Sequence, residues 1–238
     1  MDLSDYSKAS YFFDGISGNI LPEEMVMTIR SLIVTENLYM SATREITTKL
    51  ENLNSEFKYT RERNPIQNIQ TRVKTPASIV RKLSRNGWDL SVESARKHLT
   101  DIAGVRVICS YIDDIYLISS LLLSQDDINL VRTSDYIKNP KTNGYRSLHH
   151  IVTVPVFLST RVEYVNVEIQ IRTIAMDFWA SLEHELSYKM GDKRKASIER
   201  ELKFCADQIE KLDKKMQNLY NISVSLEKNI QGKTAVNF

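Results

Sequence analysis

The sequence predicts an α+β fold, five strands set among helices, and three observations predict it. Five segments alternate apolar with polar residues at the two-residue period of a strand. Around them, apolar residues recur at intervals of three and four, the spacing of a helix face. A content of 42% hydrophobic residues in 238 is ample for a core.

Composition narrows the function. A net charge of +2 argues against a general nucleic-acid-coating protein, so any cationic site must be made by local clustering. The two cysteines, Cys109 and Cys205, are read as reduced core or near-core thiols, because no second pair offers a disulfide framework or zinc knuckle. The first ten residues lack an apolar signal core, and the longest apolar run, 115–123, is too short to span a bilayer. A cytoplasmic protein without membrane contact is expected.

Residues 1–20, with Gly15 and Gly18, are expected to be loosely held. Residues 22–57 read as one long helix or two, with Pro22 at the start and Met25, Ile29, Leu32, Ile33, Leu38, Ile46, Leu50 and Leu53 at helical spacing. Its expected role is packing or oligomer contact. The first strand, 66–74, places Gln70, Arg72 and Lys74 opposite Ile69, Thr71 and Val73. A helix follows, with Thr75 as N-cap, Pro76 in the first turn, Ile79, Val80 and Leu83 inward, and Gly87 as stop. That N-terminus, carrying Ser78 with Lys82 a turn on, suits phosphate. As it stands, a basic helix end is equally an ordinary surface feature.

A short helix opens on Ser91. The next strand turns Val105, Val107 and Cys109 one way and Arg106 the other, with Asp101 just before it. A helix over 113–124 and a strand over 128–136 follow. Residues 135–149, DYIKNPKTNGYRSLH, are dense in turn formers and interleave Lys138, Lys141, Tyr145, Arg146 and His149. Cations beside an aromatic suit a nucleotide, while Asn143-Gly144 also reads as a hairpin turn. Both readings hold if the site sits on the hairpin's loop. Strands over 150–158 and 162–173, turning at Ser159 and Thr160, should be antiparallel neighbours. The second buries Val165, Val167, Ile169 and Ile171 and sets Asn166, Glu168, Gln170 and Arg172 on its other face. Helical spacing then marks one face with Ile174, Phe178, Leu182 and Leu186, and the last helix, from Lys195 to about 229, carries Ile198, Leu202, Cys205, Ile209, Leu212, Met216 and Leu219 as a core or interface stripe.

If the polar strand faces converge, they bring together Arg72, Lys74, Arg106, Asp101, Glu168 and Gln170. Three cations and two carboxylates are the inventory for phosphoryl chemistry with Mg2+: carboxylates hold the ion, cations neutralise a triphosphate, and one carboxylate takes a proton from the attacking hydroxyl. Neither a Walker A loop nor GxGxxG is present, so side chains and helix ends must hold the phosphates. A zinc-protease helix is rejected because HELSY lacks the second histidine.

Four segments, RVKTPASIVRKL, DIAGVRV, DYIKNPKTNGYRSLH, and VEIQIRT with WASLEHELSYK, resemble the synthetase domain of the RelA/SpoT family in order and spacing. The resemblance covers roughly residues 65–190. It implies a mixed five-stranded sheet of nucleotidyltransferase-like type and transfer of the β,γ-pyrophosphate of ATP to the 3′-hydroxyl of GDP or GTP. The products would be the alarmones ppGpp or pppGpp, with release of AMP. It further implies a stand-alone small alarmone synthetase of the RelP type, a homotetramer of the stringent response, since no His-Asp dipeptide of the family's hydrolase occurs. By this resemblance residues 1–64 are an N-terminal helical extension, 65–190 the synthetase domain, and 191–238 a C-terminal helix for oligomer contact.

Carried over position by position, Arg72 and Arg106 would sandwich adenine, and Lys74, Ser78 and Lys82 would hold the ATP phosphates. Asp101 and Glu168 would bind Mg2+, with Glu168 also activating the acceptor hydroxyl. Tyr145 would stack on guanine, with Lys141, Asn143, His149 and Gln170 around the acceptor nucleotide. Two departures stand out: Thr71 occupies the place of a glycine in the long enzymes, and residues 132–135 read Arg-Thr-Ser-Asp where those enzymes have Arg-x-Lys-Asp. The second motif is tied to acceptor choice, which leaves GDP against GTP open. The competing reading is a silent nucleotide- or RNA-binding regulatory module on the same fold, with a scaffold built on the terminal helices a third. Two carboxylates beside polyanions favour the enzyme over either.

Overall fold

The computed structural model describes residues 23–60, 63–189 and 195–234. The loose start expected for residues 1–20, and Pro22, lie outside them. The elements run α1 (Glu23–Thr60), β1 (Ile66–Val73), α2 (Pro76–Arg85), α3 (Val92–His98), β2 (Ala103–Cys109), α4 (Ile112–Leu123), β3 (Asn129–Asp135), β4 (Leu148–Phe157), β5 (Val162–Thr173), α5 (Ile174–Lys189) and α6 (Lys195–Thr234). The strands form one mixed sheet in the order β1-β2-β5-β4-β3, antiparallel except where β2 lies parallel to β5.

Local chemistry fixes the ends. The Thr75 hydroxyl accepts from Ser78 N–H, Pro76 opens α2, and Ser91 caps α3 through Ser94 N–H. Gly87, at φ +67°, donates its N–H to Ser84 as the chain leaves α2. Leu158 N–H donates to Arg161, closing the β4–β5 turn and pairing Phe157 with Val162.

One face of the sheet is apolar. Val105 and Val107 of β2, Ile169 and Ile171 of β5 and Val152 of β4 are fully buried together with Ile46 and Leu50 of α1, Leu83 of α2, and Ile115, Ile118 and Leu122 of α4. α1 is a single helix in contact with β1, β2, β4 and β5, and so belongs to this core. His150 also points into this layer, held between the Ser119 and Thr133 hydroxyls at 2.8 and 2.9 Å. Burial lowers its pKa, which keeps the imidazole neutral there.

In the last two helices most of the residues marked by apolar spacing are exposed, which leaves the interface rather than the core reading for them. Ile174, Phe178, Leu182 and Leu186 do share a face of α5, but it is exposed (Phe178 is 61% accessible), while Met176 and Trp179 are buried. Trp179 Nε1–H donates to the Leu202 carbonyl of α6, so the indole, which has a polar tip as well as area, chooses the inward side. On α6, Leu212, Met216 and Leu219 are exposed, and the buried side presents Ala206, Asp213 and Gln217. Asp213 accepts from the Thr173 hydroxyl and Gln217 from Asp113 N–H. This helix docks by polar contacts, which hydrophobic spacing cannot reveal. Cys109 is buried as expected, whereas Cys205 is exposed, because the stripe to which it belongs faces outward. Among the described residues, no helix is long and apolar enough to cross a membrane.

Candidate active site

Strand alternation turns the polar residues to the face opposite the core, and register aligns them into two rows. One runs Arg72, Gly104, Glu168, Ile151, Arg132 and the other Gln70, Arg106, Gln170, His149, Ser134. A cleft of about 560 Å³ opens over the β1–β2–β5 part of these rows, lined by Arg72, Lys74, Asp101, Gly104, Arg106, Glu168 and Gln170. Gly104 matters by its size: it leaves the floor open between an arginine and a carboxylate.

Asp101 reaches the cleft because it lies just ahead of β2, where Lys74 N–H donates to the Ile102 carbonyl. Its carboxylate is gripped by two ammonium groups, Lys74 Nζ at 2.7 Å and Lys82 Nζ at 2.9 Å. Burial works to raise its pKa, but these lysines outweigh it and hold the carboxyl below the ordinary range. Ser78 stays at the helix start, its side chain taking a hydrogen bond from Thr75. Arg106 contacts Asp177 at 3.3 Å and the Gln70 amide oxygen at 3.5 Å. Burial and the neighbouring Arg172 charge lower its pKa, partly offset by Asp177.

Glu168 sits at the convergence of several residues. Gln170 donates to its Oε2 at 2.9 Å, and His149 Nδ1 lies 3.3 Å from Oε1. Burial pushes this carboxyl up, the His149 and Gln170 contacts pull it down, and the outcome is a pKa below its ordinary value despite the Asp101 charge across the cleft. Beyond His149, its Nε2 meets Tyr145 Oη at 2.7 Å. Arg172 Nη2 then donates to Tyr145 Oη at 2.5 Å and to Gln170 Oε1 at 2.7 Å. Five side chains therefore close a ring: Glu168, His149, Tyr145, Arg172, Gln170. Of these, Arg172 was only noted on its strand face from the sequence, and Asp177, which bridges Arg106 and Arg172, was missed.

The loop between β3 and β4 carries the remaining candidates. Lys141 Nζ lies 4.7 and 4.8 Å from the ring centres of Tyr136 and Tyr145. Asn143 Oδ1 accepts from Tyr145 N–H, an Asx-type closure that shapes the loop. Gly144 takes φ +91° and lies against α6. Arg146, grouped from the sequence with the nucleotide-facing cations, instead turns away: it is buried, donating to the Gly144 and Ala206 carbonyls and pairing with Asp207 and Glu210 of α6.

Comparison with known proteins identifies the family and the fold. Residues 71–193 match the region found in RelA / SpoT proteins. GTP pyrophosphokinase YwaC of Bacillus subtilis is 46% identical over 179 residues, 75% of this chain and 85% of that protein. The crystal structure of small alarmone synthetase 1 from Bacillus subtilis bound to its product pppGpp is similar with a TM-score of 0.75 and 32% identity, covering 82% of this chain and 99% of that one. Small alarmone synthetase 2 from the same organism gives a TM-score of 0.71 at 44% identity, over 80% and 98% of the two chains. The mixed sheet with its flanking helices is the fold of these synthetases, and the chain belongs to the RelA/SpoT family.

Proposed function

We propose that this protein is a (p)ppGpp synthetase, moving the β,γ-pyrophosphate of ATP to the 3′-hydroxyl of GDP or GTP and releasing AMP. The observation that carries the reading is two ionised carboxylates, Asp101 and Glu168, facing one cleft whose other charged lining residues, Arg72, Lys74 and Arg106, are cations. The region 65–190 holds this machinery, with α1 completing its core and α6 its acceptor loop.

Mg2+ fits the donor set. It favours one or two carboxylates and completes its shell with phosphate oxygens and water, and among the described residues no cluster of three ligating side chains would enclose it. Asp101 and Glu168 would hold it, and when bound it neutralises charge on the transferred group. Lys74 and Lys82, which pair with Asp101, would also supply cations to the ATP phosphates. Ser78 adds a donor at the start of α2. Arg72 and Arg106, on neighbouring strands, offer flat guanidinium faces for adenine. On the other side, Tyr145 offers a face for guanine, with Lys141, Asn143, His149 and Gln170 around the acceptor. Glu168 accepts the 3′-hydroxyl proton, its lowered pKa keeping it unprotonated at neutral pH. The exposed apolar faces of α5 and α6 suit a homo-oligomer, a tetramer by family resemblance, and we place the enzyme in the cytoplasm.

The test is direct. Purified protein is incubated with ATP, Mg2+ and either GDP or GTP, and the nucleotides are separated. AMP and a pyrophosphorylated guanosine nucleotide should appear in equal amounts; intact ATP with both acceptors would overturn the proposal.

A further inference from the structure

We propose that Arg172 is a positioning residue for this reaction, the common source of two hydrogen-bond chains that end on the two oxygens of Glu168. The inference rests on the synthetase reading and assigns work to a residue that does not line the cleft.

The direction of the chains follows from which groups can donate. Arginine only donates and an ionised carboxylate only accepts, so the Gln170 amide between them has its orientation fixed, and the Tyr145–His149 branch connects them when each of its groups donates toward the carboxylate. Along one branch Arg172 Nη2–H points to Tyr145 Oη, which leaves the phenolic proton to donate to His149 Nε2. His149 must then carry its hydrogen on Nδ1, which faces Glu168 Oε1 at 3.3 Å. Along the other branch Arg172 Nη2–H points to Gln170 Oε1, which turns the amide nitrogen to Glu168 Oε2 at 2.9 Å. Reversing the Gln170 amide would set donor against donor and acceptor against acceptor, and reversing the Tyr145–His149 bond in a neutral imidazole would turn a bare Nδ1 toward the carboxylate.

Arg172 is itself fixed for this purpose. It is 4% accessible, its Nε donates to the Ser147 hydroxyl at 3.3 Å, and its Nη1 meets Asp177 at 3.2 Å. A buried guanidinium is normally set directly against carboxylates, since an unpaired buried charge is costly. Here Nη2 is spent on two neutral relays, and each relay delivers a donor to the same carboxylate. The consequence is a base whose two oxygens are held in place from behind, leaving their remaining lone pairs toward the cleft, and a guanine-facing ring tied to that base.

The test uses the full chain with ATP, Mg2+ and GDP or GTP. Tyr145→Phe keeps the stacking ring and cuts one branch; Gln170→Leu cuts the other. Each should lower kcat about tenfold, with the acceptor KM in Tyr145→Phe changed less than about twofold. The pair should be as slow as Arg172→Lys, and adding Arg172→Lys to the pair should cost less than about twofold more. Multiplying effects, or a fast Tyr145→Phe, Gln170→Leu pair beside a slow Arg172→Lys, would overturn the proposal. Because Arg172→Lys could disturb folding, the wild-type protein supplies a second reading. Nitrogen-15 NMR should find a hydrogen on His149 Nδ1, and a bare Nδ1 would overturn the chain. Wild-type protein releasing no AMP would refute the synthetase reading instead, and leaves the tautomer measurement intact.

Discussion

Gly144→Ala probes whether α6 holds the acceptor loop. At φ +91° a side chain costs about 1–2 kcal/mol of backbone strain. The new Cβ would also fall 2.6 Å from Ala206 Cβ and 3.1 Å from Lys203 Cδ. Lys203 can swing its chain aside, but the Ala206 carbon is fixed to the helix, and relieving such overlap costs about 1–3 kcal/mol. The total, about 2–5 kcal/mol, is comparable with the roughly 1.5–3 kcal/mol of one charge-assisted hydrogen bond such as Arg146 to Glu210, one of three bonds that Arg146 makes to α6. The loop should therefore shift on α6, at the expense of one of these bonds, rather than bear the strain. Tyr145, the next residue, then loses its fixed pose, and the acceptor KM should rise at least about fivefold while the ATP KM stays within about twofold. Steady-state kinetics with each substrate varied in turn measures both. Adding Ala206→Gly removes the steric part alone and should recover part of the loss. An unchanged acceptor KM in Gly144→Ala, with an unchanged melting temperature, would refute the idea that this contact holds the loop.

Glu168→Gln should retain nucleotide binding, measured by calorimetry, and lose turnover by several orders of magnitude, since base and ion ligand go together; near-normal AMP release would remove Glu168 from both roles. Tyr145→Ala should weaken acceptor binding by about 1–3 kcal/mol, read from its dissociation constant. An unaltered constant would show that the ring does not stack. Asp213→Asn probes pH. Burial raises the Asp213 carboxyl above its ordinary range against the Thr173 hydrogen bond, so the native state favours its protonated form. That contribution is complete below the unfolded pKa and is lost as pH rises through the native one. The variant should therefore gain melting temperature over wild type at pH 7 relative to pH 4.5, and equal differences at the two values would contradict the burial argument.

The sheet was legible in the sequence because alternation is a local property: Gln70, Arg72 and Lys74 share a side whatever the strand pairs with. The ring around Glu168 depends on register between β4 and β5, yet its signal was present. With the turn at Ser159 and Thr160, stepping inward from Phe157 and Val162 brings His149 opposite Gln170 and Ile151 opposite Glu168. The aromatic half of the ring, Tyr145 against Arg172, depends on how the loop folds back, and no periodicity encodes that. Helix faces were legible as faces but not as inner or outer. On α6 the inward side is chosen by Arg146, Thr173 and Asp113 finding acceptors among Asp207, Glu210, Asp213 and Gln217, so the apolar stripe is left outside. Arg146 misled for the same reason: a cation in a basic loop reads as a phosphate ligand until its carboxylate partners, sixty residues on, are known.

The bare position at Gly104 offers a way to silence the enzyme without discharging it. A methyl group there would meet only the Arg72 and Glu168 carbonyl oxygens, at 3.6 and 3.9 Å, so the backbone tolerates a side chain. Gly104→Val would project into the cleft proposed to take the nucleotides while leaving every arginine, lysine and carboxylate of its lining in the sequence. Such a plugged protein would separate what the cell owes to alarmone production from what it owes to the mere presence of the folded chain.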